Sequence, residues 1–390
     1  MGVPQAPIRI RPIGSPLQWA ILSKEPGVVV QKQKKIVVRT AALAGFAMLV
    51  GCGCHDSLRS GPLKFDDAKL AELRNTLPMF SGRDGRKITW SQLLDEAANV
   101  DVIVLGEQHD DAVGHAAQLA IVKDILATGS AVTLSMEMLD RGEQAIVDDY
   151  LAKIIDREAF VERTASTRWR KISRDYLEGR IDRNTFGKRI RKIGWPDWEN
   201  NYQPIIDEAK SNRARIVAAN TPWARYTSLA NKEGFARLEA LASSQKALFE
   251  LPHEVLRGPY RERFWEVMVG RREGEASFVN AEGEQDAGAA HPAISDEQVL
   301  GMFRAQLIMD ATMADSIADA LQDGADKVIH LVGHFHSDFE GGLVQELRHR
   351  RPGVQILTVS MQKAKAAQLR KQDRGRADVV VYTPHLRNSG

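Results

Sequence analysis

Histidines and carboxylates stand directly after apolar runs at three places in the sequence. The residues concerned are Glu107, His109, Glu137, His334 and His336. Imidazole and carboxylate groups ligate divalent metals and transfer protons near neutral pH. One interpretation is a divalent metal held by His109, His334 and His336 with an open position for water. Another is metal-free acid–base catalysis, with Glu107 or Glu137 as base and a histidine as acid. A third leaves these groups as partners of turns and helix caps.

The apolar runs that precede these residues are typical of buried parallel strands. Six runs have this character: Val100–Leu105, Ala131–Met136, Arg215–Ala219, Lys327–Val332, Val354–Val359 and Asp378–Tyr382. They are continuous rather than alternating, which indicates strands covered on both faces. Amphipathic segments lie between them: Gly114–Thr128, Trp198–Asn212 and Glu297–Asp323. The sequence therefore predicts an α/β fold, with a mostly parallel sheet flanked by helices. The polar residues after the strands should then meet at one edge of the sheet.

The segment Glu297–Asp323 carries the clearest helix signals. Ser295 and Gln298 suit a capping box, and Gly324 suits the C-terminal stop. Its methionines are expected in the core, and Asp310 is expected to face water or the edge of the sheet. Among the other histidines, the pattern predicts His115 as a packing or supporting residue, His330 as a satisfied core histidine and His253 as solvated.

A basic stretch interrupts the α/β pattern after the second strand. From Lys153 to Lys192 the sequence has 13 Lys and Arg against 6 Asp and Glu, an excess of 13 − 6 = +7. Aromatic rings with arginines can stack on a flat ligand and pair with its carboxylates. A tyrosinate can hold haem iron. The candidate haem-binding residues are Trp169, Arg174, Tyr176 and Tyr202. A helical hairpin with a solvated charged face is the structural alternative.

The N-terminal part resembles a bacterial lipoprotein signal. Basic residues precede the apolar stretch Thr40–Gly51, which is short for a membrane span, and Leu49-Val50-Gly51-Cys52 resembles a lipobox. Cys52 is thus the expected lipidation site. The chain has only one other cysteine, Cys54. The signal places the protein in the bacterial cell envelope, on the outer membrane, and disfavours nucleic acid as a partner. A formal net charge of +2 gives no global argument for a polyanionic partner.

Three regions are predicted along the chain. Residues 1–54 form an N-terminal extension and signal peptide, and 55–83 form a tether and a first helix. Residues 84–385 form the α/β domain, with helical insertions at about 140–200 and 222–295.

Taken together, several segments resemble the ChaN-like haem-binding lipoproteins, within the wider Tiki/TraB and erythromycin-esterase-like superfamily. The matching pieces are Val104–His109, Ser135–Met138, Trp198–Tyr202, Ala218–Pro222, Ala305–Ala314, Gly333-His334 and Ala377–Tyr382. Their order and spacing are specific as a set, although each is loose alone. The second turn departs from the pattern through its extra histidine, His336, and the basic insertion is long.

The resemblance implies an envelope lipoprotein that binds haem for haem or iron uptake, with haem held by a tyrosine at a dimer interface. It implies a haem uptake receptor or transporter as partner and a homodimer. The Tiki branch of the resemblance implies an alternative, a metal-assisted peptidase or esterase that uses Glu107, His109, Glu137 and His334. We expect haem binding rather than hydrolysis, because the likeness to ChaN is the stronger one.

Overall fold

The computed structural model describes residues 65–164, 175–176, 179–182, 185, 195, 197–275 and 294–384. A seven-stranded sheet in the order β1-β7-β6-β2-β5-β3-β4 organises these residues. The strands are β1 (Met79–Ser81), β2 (Val102–Glu107), β3 (Val132–Asp140), β4 (Arg215–Asn220), β5 (Lys327–Gly333), β6 (Ile356–Gln362) and β7 (Val379–Tyr382). All pairings are parallel except that of β1 with β7. The predicted α/β class is confirmed.

The helices of the described residues connect the strands and cover the sheet. Before β4 they are α1 (Asp67–Thr76), α2 (Trp90–Ala98), α3 (Ala112–Leu126), α4 (Gln144–Leu151), α5 (Arg157–Arg163), α6 (Trp198–Asn201) and α7 (Gln203–Ser211). After β4 they are α8 (Ser228–Glu233), α9 (Phe235–Glu239), α10 (Ser243–Lys246), α11 (Pro259–Val269), α12 (Asp296–Gln322) and α13 (Gly342–Arg350). Short single turns occupy Arg141–Glu143, Trp223–Thr227, His334–His336 and Lys371–Asp373.

Two hydrophobic layers form because successive strand residues point to opposite faces of the sheet. Ile103 and Leu105 of β2 pack with α3 and α7, whereas Val102 and Val104 pack with α12. Helix α12 begins with the capping box predicted at Ser295, and its methionines are buried as expected. Each strand of the centre is therefore covered on both sides, which fixes its register and the position of the residues at its end.

The start of the domain lies earlier than predicted. Strand β1 pairs with β7, and Leu70 and Leu73 of α1 belong to the main core. These residues were assigned to a tether and a first helix, so the boundary expected at residue 84 is corrected. Cys52 and the whole predicted signal segment lie outside the described residues. Within the described residues, no helix is both long enough and apolar enough to cross a membrane.

Candidate functional site

Glu107 and His109 form an oriented pair at the carboxyl end of β2. Glu107 is the last residue of the strand and is only 1% exposed. Its Oε1 lies 2.7 Å from His109 Nδ1 and also accepts a hydrogen bond of 2.7 Å from the Tyr202 hydroxyl. His115 Nδ1 lies 3.3 Å from the other oxygen, Oε2. The buried carboxylate thus fixes the direction of the His109 ring, whose side chain is 17% exposed.

The electrostatics of this pair favour its charged form. Burial raises the pKa of Glu107, but the nearby His115 and His109 outweigh it and hold the pKa below its ordinary value. Burial lowers the pKa of His109. The hydrogen bond and the charge of Glu107 raise it by more, so the net pKa lies above the ordinary value of histidine. The aromatic ring of Trp195 meets His109 edge-on at 4.8 Å between centroids. A residue that follows the basic stretch in sequence therefore reaches this site.

His336 lies between two carboxylates in the interior. Its Nδ1 is 2.6 Å from Asp310 Oδ1 and its Nε2 is 3.5 Å from Glu137 Oε1. Burial lowers the pKa of His336, but the charges of Asp310 and Glu137 overcome this and raise the pKa to about 10. Glu137 Oε2 also accepts a bond of 2.6 Å from the backbone N–H of Gly333. Burial raises the pKa of Glu137, yet His336 above all brings the pKa down to about 2.

His334 occupies a third, more exposed position. Its Nδ1 lies 2.8 Å from Asp338 Oδ2, and its side chain is 26% exposed. Arg376 pairs with the same carboxylate. Burial raises the pKa of Asp338, but His334 and then Arg376 hold the pKa below its ordinary value. Like His109, His334 is a half-exposed imidazole oriented by a buried acid.

Two glycines allow the ends of β2 and β5 to approach each other. A Cβ on Gly106 would lie 2.8 Å from Ser337 Oγ and 3.1 Å from the Cα of His334. A Cβ on Gly333 would lie 3.0 Å from His109 Nε2. A Cβ on Gly106 would meet the backbone of His334, so this position needs glycine, whereas at Gly333 the ring of His109 would have to shift to admit a Cβ. The close approach of the two strand ends thus agrees with glycine at the start of each turn.

The structure therefore brings the predicted strand-end residues together, but not as a metal site. In the part of the chain that the structure describes, no group of three or more His, Cys, Asp or Glu side chains could hold a metal ion. The predicted set of His109, His334 and His336 is corrected: each ring is tied to its own carboxylate, and His336 is protonated at neutral pH. A protonated imidazole has no lone pair for a metal.

The six tyrosines of the sequence all lie among the described residues, so each can be tested as an iron ligand. Five are buried: Tyr150, Tyr202, Tyr226, Tyr260 and Tyr382. Tyr202 is 0% exposed, and burial together with Glu107 raises its pKa well above the ordinary value. The prediction of Tyr202 as a haem ligand is corrected, because its oxygen is enclosed and its proton is held by a carboxylate. Tyr176 is partly exposed. Arg174 and Trp169 lie outside the described residues.

Several residues of the network were not predicted from the sequence. Asp310 was expected at the edge of the sheet or in water, but it is fully buried and also accepts a bond of 2.7 Å from the Tyr260 hydroxyl. The sequence did contain a signal for the burial of Asp310, because Asp310 lies four residues after another polar residue, Gln306. In the structure Gln306 donates a hydrogen bond of 3.1 Å to the same Tyr260 oxygen. Polar residues one helical turn apart on an otherwise apolar face indicate a buried polar network.

Three other histidines were assigned from sequence alone. His115 supports Glu107, as expected of a packing or supporting residue. His330 Nδ1 lies 2.9 Å from Ser135 Oγ, and burial lowers the pKa of His330 to about 3. Its Nε2 has no hydrogen-bond partner among the described residues, where it is thus a core histidine that is only half satisfied. His253 is exposed, as expected, and its Nδ1 also lies 2.8 Å from the buried Glu346.

Comparison with known proteins identifies relatives of this fold. The family model described as haem-binding uptake, Tiki superfamily, ChaN matches residues 93–178 and 170–347, which is more than half of the chain. No curated protein matches the chain in sequence. The structure resembles that of ChaN of Campylobacter jejuni, for which cofacial haem binding is described, with 16% identity, a TM-score of 0.52, and coverage of 78% of this chain and 96% of that one.

Two further structures are more distant. The type III effector HopBA1 has 10% identity and a TM-score of 0.33, with 75% of this chain and 92% of that chain covered. A protein from Bacillus cereus has 10% identity and a TM-score of 0.36, with 82% and 98% covered. At these scores neither contributes to the argument, and the likeness to the Campylobacter protein supports the fold.

Proposed function

This chain belongs to the ChaN-like family of haem-binding uptake proteins in the Tiki superfamily, and on that premise we propose that it is a haem-binding lipoprotein of the bacterial cell envelope. Its role in this proposal is to bind haem outside the cytoplasm and to pass haem or iron to an uptake receptor or transporter. The lipobox around Cys52 supports an anchored protein, and the family match supports haem as the ligand.

The iron ligand is assigned from the burial of the tyrosines, because every tyrosine except Tyr176 is buried. A tyrosinate can bind haem iron only if its oxygen reaches the surface and can lose its proton. Five tyrosines are buried, and carboxylates accept hydrogen bonds from Tyr150, Tyr202, Tyr260 and Tyr382. Tyr176 is partly exposed and lies in the basic stretch. We assign Tyr176 as the iron ligand. Arg174 and Trp169 precede it in the same stretch of sequence, and we assign Arg174 to the propionates and Trp169 to the face of the porphyrin.

The charge of the basic stretch agrees with haem as the ligand. Bound haem would supply the iron centre and a Soret absorption band. Around it, the excess of Lys and Arg in the basic stretch would neutralise the two propionates. A homodimer in which two copies enclose the haem is part of the same proposal, and its test is the mass of the haem-loaded protein.

The experiment is an absorption titration of the full chain with haemin, together with Tyr176→Phe, Arg174→Ala and a matched control, Tyr226→Phe. Tyr226 is buried, and its hydroxyl makes no hydrogen bond to the described part of the protein, so Tyr226→Phe removes the same atom without touching the proposed ligand. We expect the wild type and Tyr226→Phe to give the same saturable Soret shift. Tyr176→Phe should shift or abolish the band, and Arg174→Ala should weaken binding.

The alternative iron ligands are the two half-exposed histidines, so His109→Ala and His334→Ala complete the set. If either abolishes the Soret shift while Tyr176→Phe leaves it unchanged, iron is bound at the edge of the sheet and the assignment to Tyr176 is wrong. If no saturable shift occurs in the wild type, haem binding itself is rejected.

A second candidate function is hydrolysis, and the Glu107–His109 pair favours it. A carboxylate that bonds to Nδ1 of a partly exposed histidine orients the ring, and the raised pKa of His109 suits it to the role of general acid. The metal-assisted form lacks its ligand set among the described residues, so the metal-free form with Glu107, His109 and Glu137 is the one retained. Turnover of a panel of peptide and ester substrates that is lost in His109→Ala and Glu107→Gln, but not in Tyr176→Phe, would support it.

A further inference from the structure

A cavity with a strong excess of positive charge opens at the amino edge of the sheet, far along the strands from the site described above. It has a volume of about 770 Å³. It is bounded by the first residue of β4, Arg215, and by the residues that end α4 and α7. Four of its lining residues are cations, namely Lys153, Lys210, Arg213 and Arg215, whereas Asp207 is its one acid. Of these residues, only Lys153 belongs to the basic stretch that is proposed to face haem.

The acid of the cavity does not neutralise these cations. Asp207 Oδ1 accepts bonds from the Tyr150 hydroxyl at 2.7 Å and from Gln203 at 2.9 Å, and its Oδ2 pairs with Arg157 at 3.6 Å. Its two oxygens are therefore already engaged. Arg215 is the cation that has its own partner, since its Nη1 lies 2.8 Å from Asp323.

Lys153, Lys210 and Arg213 have no carboxylate within 4.0 Å in the described part of the chain. Lys210 lies over the ring of Tyr150, with 3.2 Å between Nζ and the centroid. Burial lowers the pKa of Lys210, the charge of Asp207 raises it, and the charge of Lys153 lowers it. The two lysines therefore repel each other at the cavity, and a bound anion would relieve that repulsion.

Helix dipoles offset only part of this charge. Helices α4 and α7 both end at the cavity, and each C-terminus carries about half a negative charge. Two such ends contribute about one negative charge against three unpaired cations, which leaves an excess of about two. A phosphate group carries about −1.5 to −2 at neutral pH and matches this excess, whereas a single carboxylate leaves one cation uncompensated.

The backbone conformation gives an independent observation: two of the cationic residues have positive φ values, which strain the backbone of any residue other than glycine. Lys153 and Arg213 follow the caps of α4 and α7 and have φ values of 62° and 58°. Glycine is the residue that normally ends a helix in this left-handed conformation, because it has no Cβ to clash. Both positions instead carry a long cationic side chain at the rim of the same cavity.

We propose that this cavity is a binding site for a phosphate group, belonging either to a small organic phosphate or to a phospholipid headgroup. The volume falls in the range of small-molecule sites, about 300–1,000 Å³, and exceeds what inorganic phosphate alone would fill. Lysines act as point-charge partners of phosphate oxygens, and arginine adds a planar pair of donors. The cavity lies at the opposite edge of the sheet from His109, and Tyr176, the proposed haem ligand, is not among its lining residues.

The strained positions provide variants that remove the charge without harming the fold. In Lys153→Gly/Arg213→Gly the two cations are lost, while glycine suits the observed φ values, so the thermal midpoint should stay the same or rise. Lys232→Ser is the matched control, because Lys232 is an exposed cation in the last turn of α8, outside the cavity.

The test is calorimetric titration of the full chain in detergent with glycerol 3-phosphate, with glycerol as the uncharged reference, and flotation with phosphatidylglycerol and phosphatidylcholine vesicles. We expect saturable binding of glycerol 3-phosphate that weakens at least tenfold in the double variant and is unchanged in Lys232→Ser. Binding of the anionic vesicles alone, reduced in the double variant, would identify a lipid headgroup as the source of the phosphate. Equal binding in all variants, or none to either probe, would overturn the proposal.

Discussion

Replacing His336 tests whether the buried charge cluster is organised as described. In His336→Leu, the carboxylates of Asp310 and Glu137 lose the cation that lies 2.6 Å from one and 3.5 Å from the other. Breaking a buried ion pair by removal of one partner costs about 3–5 kcal/mol. The raised pKa of His336 leads to a similar value, since a rise from 6.5 to about 10 contributes at most about 5 kcal/mol to the free energy of unfolding.

The pH dependence gives the sharper measurement. Because the folded pKa of His336 exceeds the unfolded one, its contribution is fully present below pH 6.5 and is lost as pH rises toward 10. Between pH 6 and pH 9 the wild type should lose about 3 kcal/mol through this group. In His336→Leu that component should vanish.

The assay is urea unfolding of both proteins at pH 6 and pH 9, with His349→Leu as control. His349 is exposed and stacks on His253, so its replacement should change the free energy of unfolding by no more than about 0.5 kcal/mol. Two results would refute the reasoning: a loss below about 1 kcal/mol in His336→Leu at pH 6, or the same pH dependence in the variant as in the wild type.

Three further predictions concern the same region. Tyr202→Phe removes a hydrogen bond to the buried Glu107 carboxylate and should lower the free energy of unfolding by about 1.5–3 kcal/mol, measured by urea unfolding; no loss would contradict the bond. Gly333→Ala places a methyl group 3.0 Å from His109 Nε2, so the NMR signals of the His109 ring should shift while the fold is retained. Lys327→Met removes the donor to the buried carbonyl of Ala97 and the partly buried carbonyl of Val100, and it should cost about 1–3 kcal/mol in the same unfolding assay.

The strands were predictable because burial on both faces leaves a local record in the sequence. The run Arg215–Ala219 corresponds to the observed Arg215–Asn220, and Lys327–Val332 to Lys327–Gly333. Strand β1 was not predicted, since three residues are too few for a periodic pattern and their pairing with β7 depends on a contact across the chain. Long-range pairing of this kind has no local signature.

The candidate site was predictable only where strand ends determine it. Glu107 and Glu137 lie near the carboxyl ends of β2 and β3, and His336 follows β5, so their approach follows from the topology of three neighbouring parallel strands. Asp310 lies in the middle of α12, and its burial depends on how that helix is rotated against Tyr260 and Gly342. The enclosure of Tyr202 likewise results from the packing of α7 on α3, which no spacing in the sequence encodes.

The pairing of buried charges also determines which side chains can bind a ligand or transfer a proton at the surface. His336 is protonated at neutral pH because two carboxylates hold it, and an imidazolium cannot bind iron or accept a proton. Glu137 is engaged by His336 and by the Gly333 amide. The strand-end cluster thus acts mainly as a buried support, and the two histidines of the cluster that reach the surface are His109 and His334. Haem titration and a hydrolysis assay of the same variants therefore separate the two proposed functions, since hydrolysis would need His109 and the proposed carrier would need Tyr176.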